Sequence, residues 1–368
     1  MVELRDESAP VRLGASAAPR EARRGRGATA NPSGRYEATR REAFHEADWE
    51  PDAPMPLRTR VTAERTNRII ARNTSPDIPF DRSINPYRGC EHGCIYCYAR
   101  PTHAWLGLSP GLDFESRIFA KPDAARLLAR ELAAPGYRPD TIALGTATDP
   151  YQPVEREHRI TRAVLEVLQA ARHPVGITTK SDLVLRDLDI LAEMAARNLV
   201  LVAVSLPTLD PGLARRLDPR APRPDKRLAA MRSLSAAGVP VMVNLSPIIP
   251  GLTDHEIEAI LARARESGAS RIGHALLRLP GEVADLVADW FAEHYPERKD
   301  RAFGLLAQAR GGRENDPRFG HRFRGEGPYA AMIGQRVRLA GTRLGFAFGR
   351  MALNREAFRK PGAQLALF

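Results

Sequence analysis

From about residue 80 onward the chain alternates short apolar, β-branched runs with longer segments whose apolar positions recur every three or four residues. The short runs are Thr141–Gly145, Val175–Thr179, Leu199–Ser205, Val239–Leu245 and Arg271–Leu276. They predict strands, and their consecutive rather than alternating apolar positions suit burial on both faces. The longer segments, Asp123–Ala133, Glu157–Ala171, Leu183–Ala196, Asp225–Ala236 and Asp254–Glu266, predict helices. Gly238 stops the fourth helix, and Thr253 followed by Glu256 reads as a capping box at the start of the fifth. Strand–helix alternation of this kind builds a parallel sheet covered by helices. About six such units predict an α/β fold, a partial (βα)6 TIM-like barrel over residues 76–295.

The flanks follow a different pattern. Residues 1–75, rich in Ala, Arg, Pro, Glu and Ser, predict a mostly disordered N-terminal tail. Residues 296–368 predict an Arg/Gly-rich C-terminal extension with a helix from Pro328 to Leu339. The opening "MVELRDESAP" has acids where a signal peptide needs basic and then apolar residues. The longest apolar run, Leu199–Leu206, is far too short to span a bilayer. A cytoplasmic protein without a membrane segment is the expectation.

Charge narrows the partners. Lys and Arg number 55 against 44 acids, a net +11, which favours anionic partners such as nucleic acid or nucleotides. Arg310, Arg313, Arg318, Arg322 and Arg324 interleave with Phe319, Phe323 and Tyr329 in the extension. That mixture suits phosphate contacts and base stacking on single-stranded nucleic acid, or a Gly-rich loop packed on the barrel.

In barrels of this type chemistry gathers at the C-terminal ends of the strands. There the sequence reads "GTATDP", "TTKSD", "VSLPT" and "NLSPIIPG". Thr146, Thr148 and Ser205 can bind a small polar ligand or cap the next helix. Lys180 does not suit a cap, because a lysine favours the opposite helix end. His274 and Arg278, near the sixth strand exit, are candidates to face the lumen. His158 and His173 read as surface or packing residues, and His255-Glu256 as helix-cap chemistry.

All three cysteines of the chain lie in one loop, "RGCEHGCIYCYAR", as Cys90, Cys94 and Cys97. So few thiols, so tightly grouped, exclude a disulfide framework. Zinc would need a fourth ligand, for which His92 or His103 is the candidate. A three-cysteine iron–sulfur site instead leaves one iron open for a ligand.

The C-x3-C-x-aromatic-C pattern, Cys90…Cys94-Ile95-Tyr96-Cys97 after the strand-like "SINPYRGC", resembles the signature of the radical S-adenosylmethionine (radical SAM) superfamily. Within it, "INPYRGCEHGCIYCYAR", "TDPYQPVE", "TTKSDLVLRD", "VSL" and "SPIIPG" resemble spore photoproduct lyase and the DNA-repair-photolyase-like proteins. The resemblance implies that Cys90, Cys94 and Cys97 ligate a [4Fe–4S] cluster whose fourth iron binds SAM. It implies Tyr96 near the adenine, Lys180 and Ser205 at the methionine moiety, and Thr146 to Asp149, including Thr148, near the SAM amino group. It further implies a radical SAM enzyme served by a one-electron donor such as flavodoxin or ferredoxin, with nucleic acid as a candidate substrate. The lyases carry a hydrogen-donor cysteine in the stretch that here reads "GTATDP", where this chain has Thr146. Tyr98, beside Cys97, matches a lyase tyrosine and is the candidate for a hydrogen relay. The competing expectation is a non-catalytic nucleic-acid-binding protein with a structural Fe–S or zinc site.

Overall fold

The protein is described by a computed structural model over residues 25–37, 57–313 and 315–362. Ten strands occur among these: β1 Arg60–Ala63, β2 Ile70–Arg72, β3 Arg82–Ile84, β4 Tyr87–Arg88, β5 Arg117–Ala120, β6 Ile142–Leu144, β7 Val175–Thr179, β8 Val200–Ser205, β9 Val241–Ile248 and β10 Arg271–Leu276. Strands β3, β6, β7, β8, β9 and β10 lie side by side in that order, each parallel to the next. Parallel neighbours need crossover connections. Helices Ala124–Leu132, Ile160–Ala170, Leu188–Ala195, Pro224–Ala236 and Ile257–Glu266 supply them. The sheet stays open: β2 pairs antiparallel on one edge, and at the other Arg271 bridges to Ala347. This is the expected partial (βα)6 barrel.

The two faces of the sheet carry different chemistry. Val175, Ile177, Val200, Val202, Val204, Val241, Val243 and Leu245 are buried in one apolar core. Their partners along the other face are small: Thr178 pairs with Ala203, and Ser205 with Asn244, which pairs with Gly273. Side chains of residues in register point to the same side. Toward the C-terminal strand ends the inner face is therefore lined with short residues that leave room at the mouth.

Four local expectations change. The strand read in "SINPYRGC" is split: Ser83 and Ile84 belong to the barrel, while Tyr87 and Arg88 pair with β5 in a separate sheet, β1–β5–β4. Pro86 lies between and cannot donate to a ladder. The helix expected at Glu157–Ala171 breaks at Arg159, whose φ is 51°, and restarts at Ile160. Glu155 stabilises the restart, its carboxylate accepting from the Thr161 amide at 3.0 Å. The capping box at Thr253 does not form. The Thr253 hydroxyl accepts from the Ile249 amide at 2.9 Å, and Glu256 reaches the Thr208 hydroxyl (2.6 Å) and Leu209 amide (2.7 Å). The C-terminal helix runs from Gly327 to Arg343, longer than expected.

Parts of the segment that reads as a tail lie on the barrel; the rest of that expectation falls outside the described residues. Residues 57–75 contribute β1 and β2, and residues 25–37 cross the cysteine loop. Gly27 lies so close that a Cβ there would sit 1.9 Å from the Gly93 carbonyl oxygen. No helix among the described residues is long and apolar enough to cross a membrane.

Candidate functional site

The cysteine loop leaves β4 and turns across the C-terminal end of the sheet. Backbone hydrogen bonds shape it: Cys90 N donates to Phe114 O (3.0 Å), Gly93 N to Cys90 O (3.2 Å) and Cys97 N to Cys94 O (3.2 Å). Gly93 has a φ of 67°, and a Cβ there would meet the Glu115 carboxylate at 2.6 Å, so the turn requires glycine. Cys90 and Cys94 are buried, Cys97 partly so.

One fully buried guanidinium holds this loop. Arg100 donates Nε to the Cys94 carbonyl (2.9 Å) and NH2 to the Gly93 carbonyl (3.1 Å). NH1 reaches the Pro110 and Gly111 carbonyls, both at 3.0 Å, and NH2 pairs with Glu115 Oε1 at 2.6 Å. Glu115 also accepts the amides of Gly27 (2.9 Å) and Ala28 (2.8 Å), joining the N-terminal crossing segment to the loop. The planar fork of arginine suits such a set of acceptors, and lysine could not make it.

Three further groups fix the loop from the strand ends. The Thr148 hydroxyl donates to Gly89 O (2.6 Å), and Gln152 joins Thr148 Oγ1 to the Glu91 amide. His92 Nδ1 lies 3.2 Å from Asp149 Oδ2, and Asp149 also accepts from the Thr179 hydroxyl and the Lys180 amide. Burial opposes a charged His92, but Asp149 and then Cys90 outweigh it and push the imidazole up to about 9. Burial likewise opposes ionised Asp149, yet His92 and the surrounding donors hold it down at about 2. The Tyr96 hydroxyl donates to Asp218 Oδ1 at 2.5 Å, and Asp218 pairs with the buried Arg227 at 3.0 Å. Burial first, then Asp218, raises both the Cys94 thiol and the Tyr96 hydroxyl.

The residues singled out in the sequence fall into two groups. Lys180 Nζ lies 5.7 Å from the centroid of the Tyr96 ring. Its ammonium is held above the ordinary lysine range: burial opposes it, but Cys94, Asp218 and Asp149 prevail. Ser205 ends β8 on the inner face; its carbonyl accepts from Arg227, and its hydroxyl has no partner among the described residues. Lys180 and Ser205 thus present polar heads toward the mouth. Tyr96, Thr146 and Thr148 already have partners, Thr146 being tied to Asn85 through its hydroxyl. Tyr98 is 52% exposed and donates to the Thr146 carbonyl. His158 is exposed, whereas His173 is buried between Tyr137 and Phe358.

The donor set fits an iron–sulfur cluster better than zinc. Tetrahedral zinc at about 2.3 Å from each thiolate needs sulfurs about 3.8 Å apart. Among the described residues the three thiols do not all come within 4.8 Å of one another or of a histidine. His92 is committed to Asp149. His103 bonds the Arg117 carbonyl at 3.0 Å, and burial lowers it to about 4. A multi-iron cluster that takes one iron per thiolate accommodates the wider spacing.

Beside this loop the C-terminal extension forms one rim of the mouth. Leu276 N, at the end of β10, donates to Phe323 O. The buried Arg310 donates to the Arg322 and Leu277 carbonyls, both at 2.7 Å. Arg322 is sandwiched 4.9 Å from the rings of both Phe319 and Phe323, Arg278 lies 5.2 Å over Phe323, and Phe319 is 57% exposed. Arg310 is therefore structural, Arg318 is paired with Asp316, and Arg322 also meets Asp77 at 2.6 Å.

Residues 84–264 match the family model described as the Radical SAM superfamily. Over 226 residues the chain is 38% identical to an uncharacterized protein of Mycobacterium tuberculosis, covering 61% of this chain and 66% of that protein, just under two thirds. An uncharacterized protein of Methanocaldococcus jannaschii is 30% identical over 173 residues, 47% of this chain and 62% of the relative. Among solved structures, a cysteine-to-serine mutant of spore photoproduct lyase superposes with a TM-score of 0.55 at 17% identity, covering 78% of this chain and 82% of that one. A double mutant of the same lyase, with bound AdoMet and dinucleoside spore photoproduct, gives 0.53 at 14% identity over 78% and 80%. At these identities the lyase structures establish the fold.

Proposed function

We propose that this chain, whose residues 84–264 match the Radical SAM superfamily model, is a radical SAM enzyme that cleaves S-adenosylmethionine reductively at a [4Fe–4S] cluster held by Cys90, Cys94 and Cys97. The observation that carries this reading is three thiols on one buried loop at the strand ends, with no fourth protein ligand among the described residues and with Lys180 and Ser205 at the ends of the neighbouring strands β7 and β8. Bound there, the cluster and SAM would supply one-electron cleavage of the sulfonium C–S bond, giving methionine and a 5′-deoxyadenosyl radical.

The chain's own residues hold and shape that chemistry. Arg100, Gln152 and Thr148 fix the loop, while the Lys180 ammonium and Ser205 hydroxyl suit the carboxylate of the methionine moiety. Tyr96 keeps its ring at the floor through Asp218 and Arg227, and Thr146 holds Tyr98 at the exposed rim. Tyr98 is the candidate to relay a hydrogen atom between substrate and cofactor-derived radical, in a chain with no spare cysteine. The Phe319, Arg322, Phe323 and Arg278 stack suits a nucleic-acid strand at the mouth, through base stacking and phosphate contact. Three unpaired cysteines suit a reducing, cytoplasmic setting and an external one-electron donor.

The test is iron and sulfide content of anaerobically reconstituted protein, with electron paramagnetic resonance after reduction, with and without SAM. About four irons per chain and a spectrum altered by SAM are expected; stoichiometric zinc, or a SAM-indifferent spectrum, overturns the reading. Lys180→Ala is expected to keep the irons and weaken SAM binding, read from the SAM concentration that shifts the spectrum.

A further inference from the structure

A cleft of about 420 Å³ is lined by Arg26, Arg215, Arg216, Pro219, Arg223 and His294. Its wall is the segment from Ala214 to Arg223, and the other side of that segment touches the cysteine loop. Ile95 N donates to Leu217 O at 3.1 Å, and Arg220 N to His92 O at 3.3 Å. Pro219 packs on Gly93, where a Cβ would lie 3.3 Å from its ring. One layer of chain separates the cleft from the loop.

Among the described residues the cleft's positive charge is poorly neutralised. Arg215 is exposed and has no carboxylate partner among the described residues. Arg216 lies 5.1 Å over the Tyr295 ring, also without a carboxylate. Arg223 meets only the exposed Asp225, at 3.4 Å. Arg26 spends its donors on the Glu115 and Leu57 carbonyls, and burial followed by the nearby Arg220 lowers its pKa. Guanidiniums crowded like this, with Arg215 and Arg216 lacking a carboxylate among the described residues, raise the local concentration of an anionic partner and speed its encounter.

We propose that this arginine cleft is the docking surface for an acidic one-electron carrier protein, which reduces the cluster through the segment from Ala214 to Arg223. The inference rests on the reading above, since only an iron–sulfur centre there needs an electron. The step moves one electron: the carrier is oxidised by one and the cluster reduced by one, with no proton or bond exchanged. All three cysteines are committed to a single loop, so the described residues hold no second thiolate-bound relay. The carrier must come close to that loop, and the mouth is the face where substrate enters. The Ala214–Arg223 wall, bonded directly to that loop, offers a second approach, and charge complementarity selects an acidic visitor.

The experiment uses the full chain, reconstituted anaerobically, with a bacterial flavodoxin as probe. Flavodoxin affinity is measured at about 50 and about 200 mM salt, where screening differs strongly, alongside the rate at which reduced flavodoxin bleaches the cluster. The Arg215→Glu/Arg223→Glu variant is expected to bind flavodoxin about tenfold or more weakly and to lose most of the salt dependence. Its bleaching by flavodoxin should slow relative to bleaching by dithionite. Equal affinity and equal bleaching in the two proteins overturns the proposal. So does an Arg278→Glu/Arg324→Glu change at the mouth that weakens flavodoxin instead, or tight binding of pyrophosphate in the cleft with flavodoxin indifferent to it. If dithionite-reduced protein fails to cleave SAM while flavodoxin binding still responds to Arg215 and Arg223, the enzyme reading falls and the docking surface stands.

Discussion

Arg100→Lys isolates the device that holds the cysteine loop. Arg100 is fully buried and makes five polar contacts: four backbone carbonyls, of Gly93, Cys94, Pro110 and Gly111, and the Glu115 carboxylate. A lysine ammonium keeps the charge opposite Glu115, but its three donors radiate from one point and reach one of the four carbonyls at best. Three bonds are then lost. At about 1.5 kcal/mol each, the low end for hydrogen bonds to a charged group, the loss is about 4–5 kcal/mol. That is a large part of the 5–15 kcal/mol by which domains are ordinarily stable. The assay is anaerobic urea unfolding of the metal-free chain, followed by iron content after reconstitution. Both the midpoint and the iron retained should fall. A change under about 1 kcal/mol with full iron content would show that the loop is held by its own backbone turns, and the argument from Arg100 would be wrong.

Two further outcomes follow from buried polar groups elsewhere. Asp218→Asn should be more damaging than Tyr96→Phe. The first leaves the Arg227 guanidinium buried without a counter-charge, at about 3–5 kcal/mol, and the second removes one hydroxyl donor, at about 1–2 kcal/mol; urea midpoints showing the reverse order would refute the network. His173 is buried, its pKa lowered to about 4 by desolvation, and bonded to Tyr137 and the Pro174 carbonyl. The unfolded chain takes up that proton near pH 6.5 and the folded chain does not until about 4, so stability falls as pH falls through this window. The contribution lost is about 2 kcal/mol between pH 8 and pH 5, and His173→Gln should remove that part of the slope in unfolding free energy. An unchanged slope would count against a neutral buried imidazole.

How much of this could be seen in the sequence depends on the range of each interaction. Val175–Thr179 and Arg271–Leu276 appear in the structure with the bounds read from their apolar runs, because short runs of β-branched and apolar residues between helical segments mark their limits locally. The helix restart at Ile160 was not visible, since Glu155 stabilises it through a carboxylate that also meets Tyr87 and Arg186, far away in the chain. The capping box at Thr253 failed for the same reason: Glu256 found better donors on the loop after β8. The cysteines could be found because three thiols at fixed spacing are themselves the signal.

Their support could not be read in the same way. Arg100 stands three residues after Cys97, but its acceptors come from the loop, from Pro110 and Gly111, and from Glu115. Nothing in the sequence singles out Asp218 and Arg227, which only the fold brings to the Tyr96 hydroxyl. The Gly27–Ala28 amides on Glu115 lie in a segment whose composition reads as disordered, since a strap held by backbone bonds, by Arg26, Asn31 and Arg35 and by one close glycine contact needs no long apolar pattern. Thr148 shows the consequence for assignment. Its place at a strand exit suggests a cofactor contact, yet its hydroxyl is spent on the Gly89 carbonyl, so its influence on any bound ligand must pass through the loop. Lys180 and Ser205 differ because, among the described residues, their polar heads have no hydrogen-bond partner, and an ammonium and a hydroxyl left so at the ends of neighbouring strands are what a carboxylate ligand would satisfy.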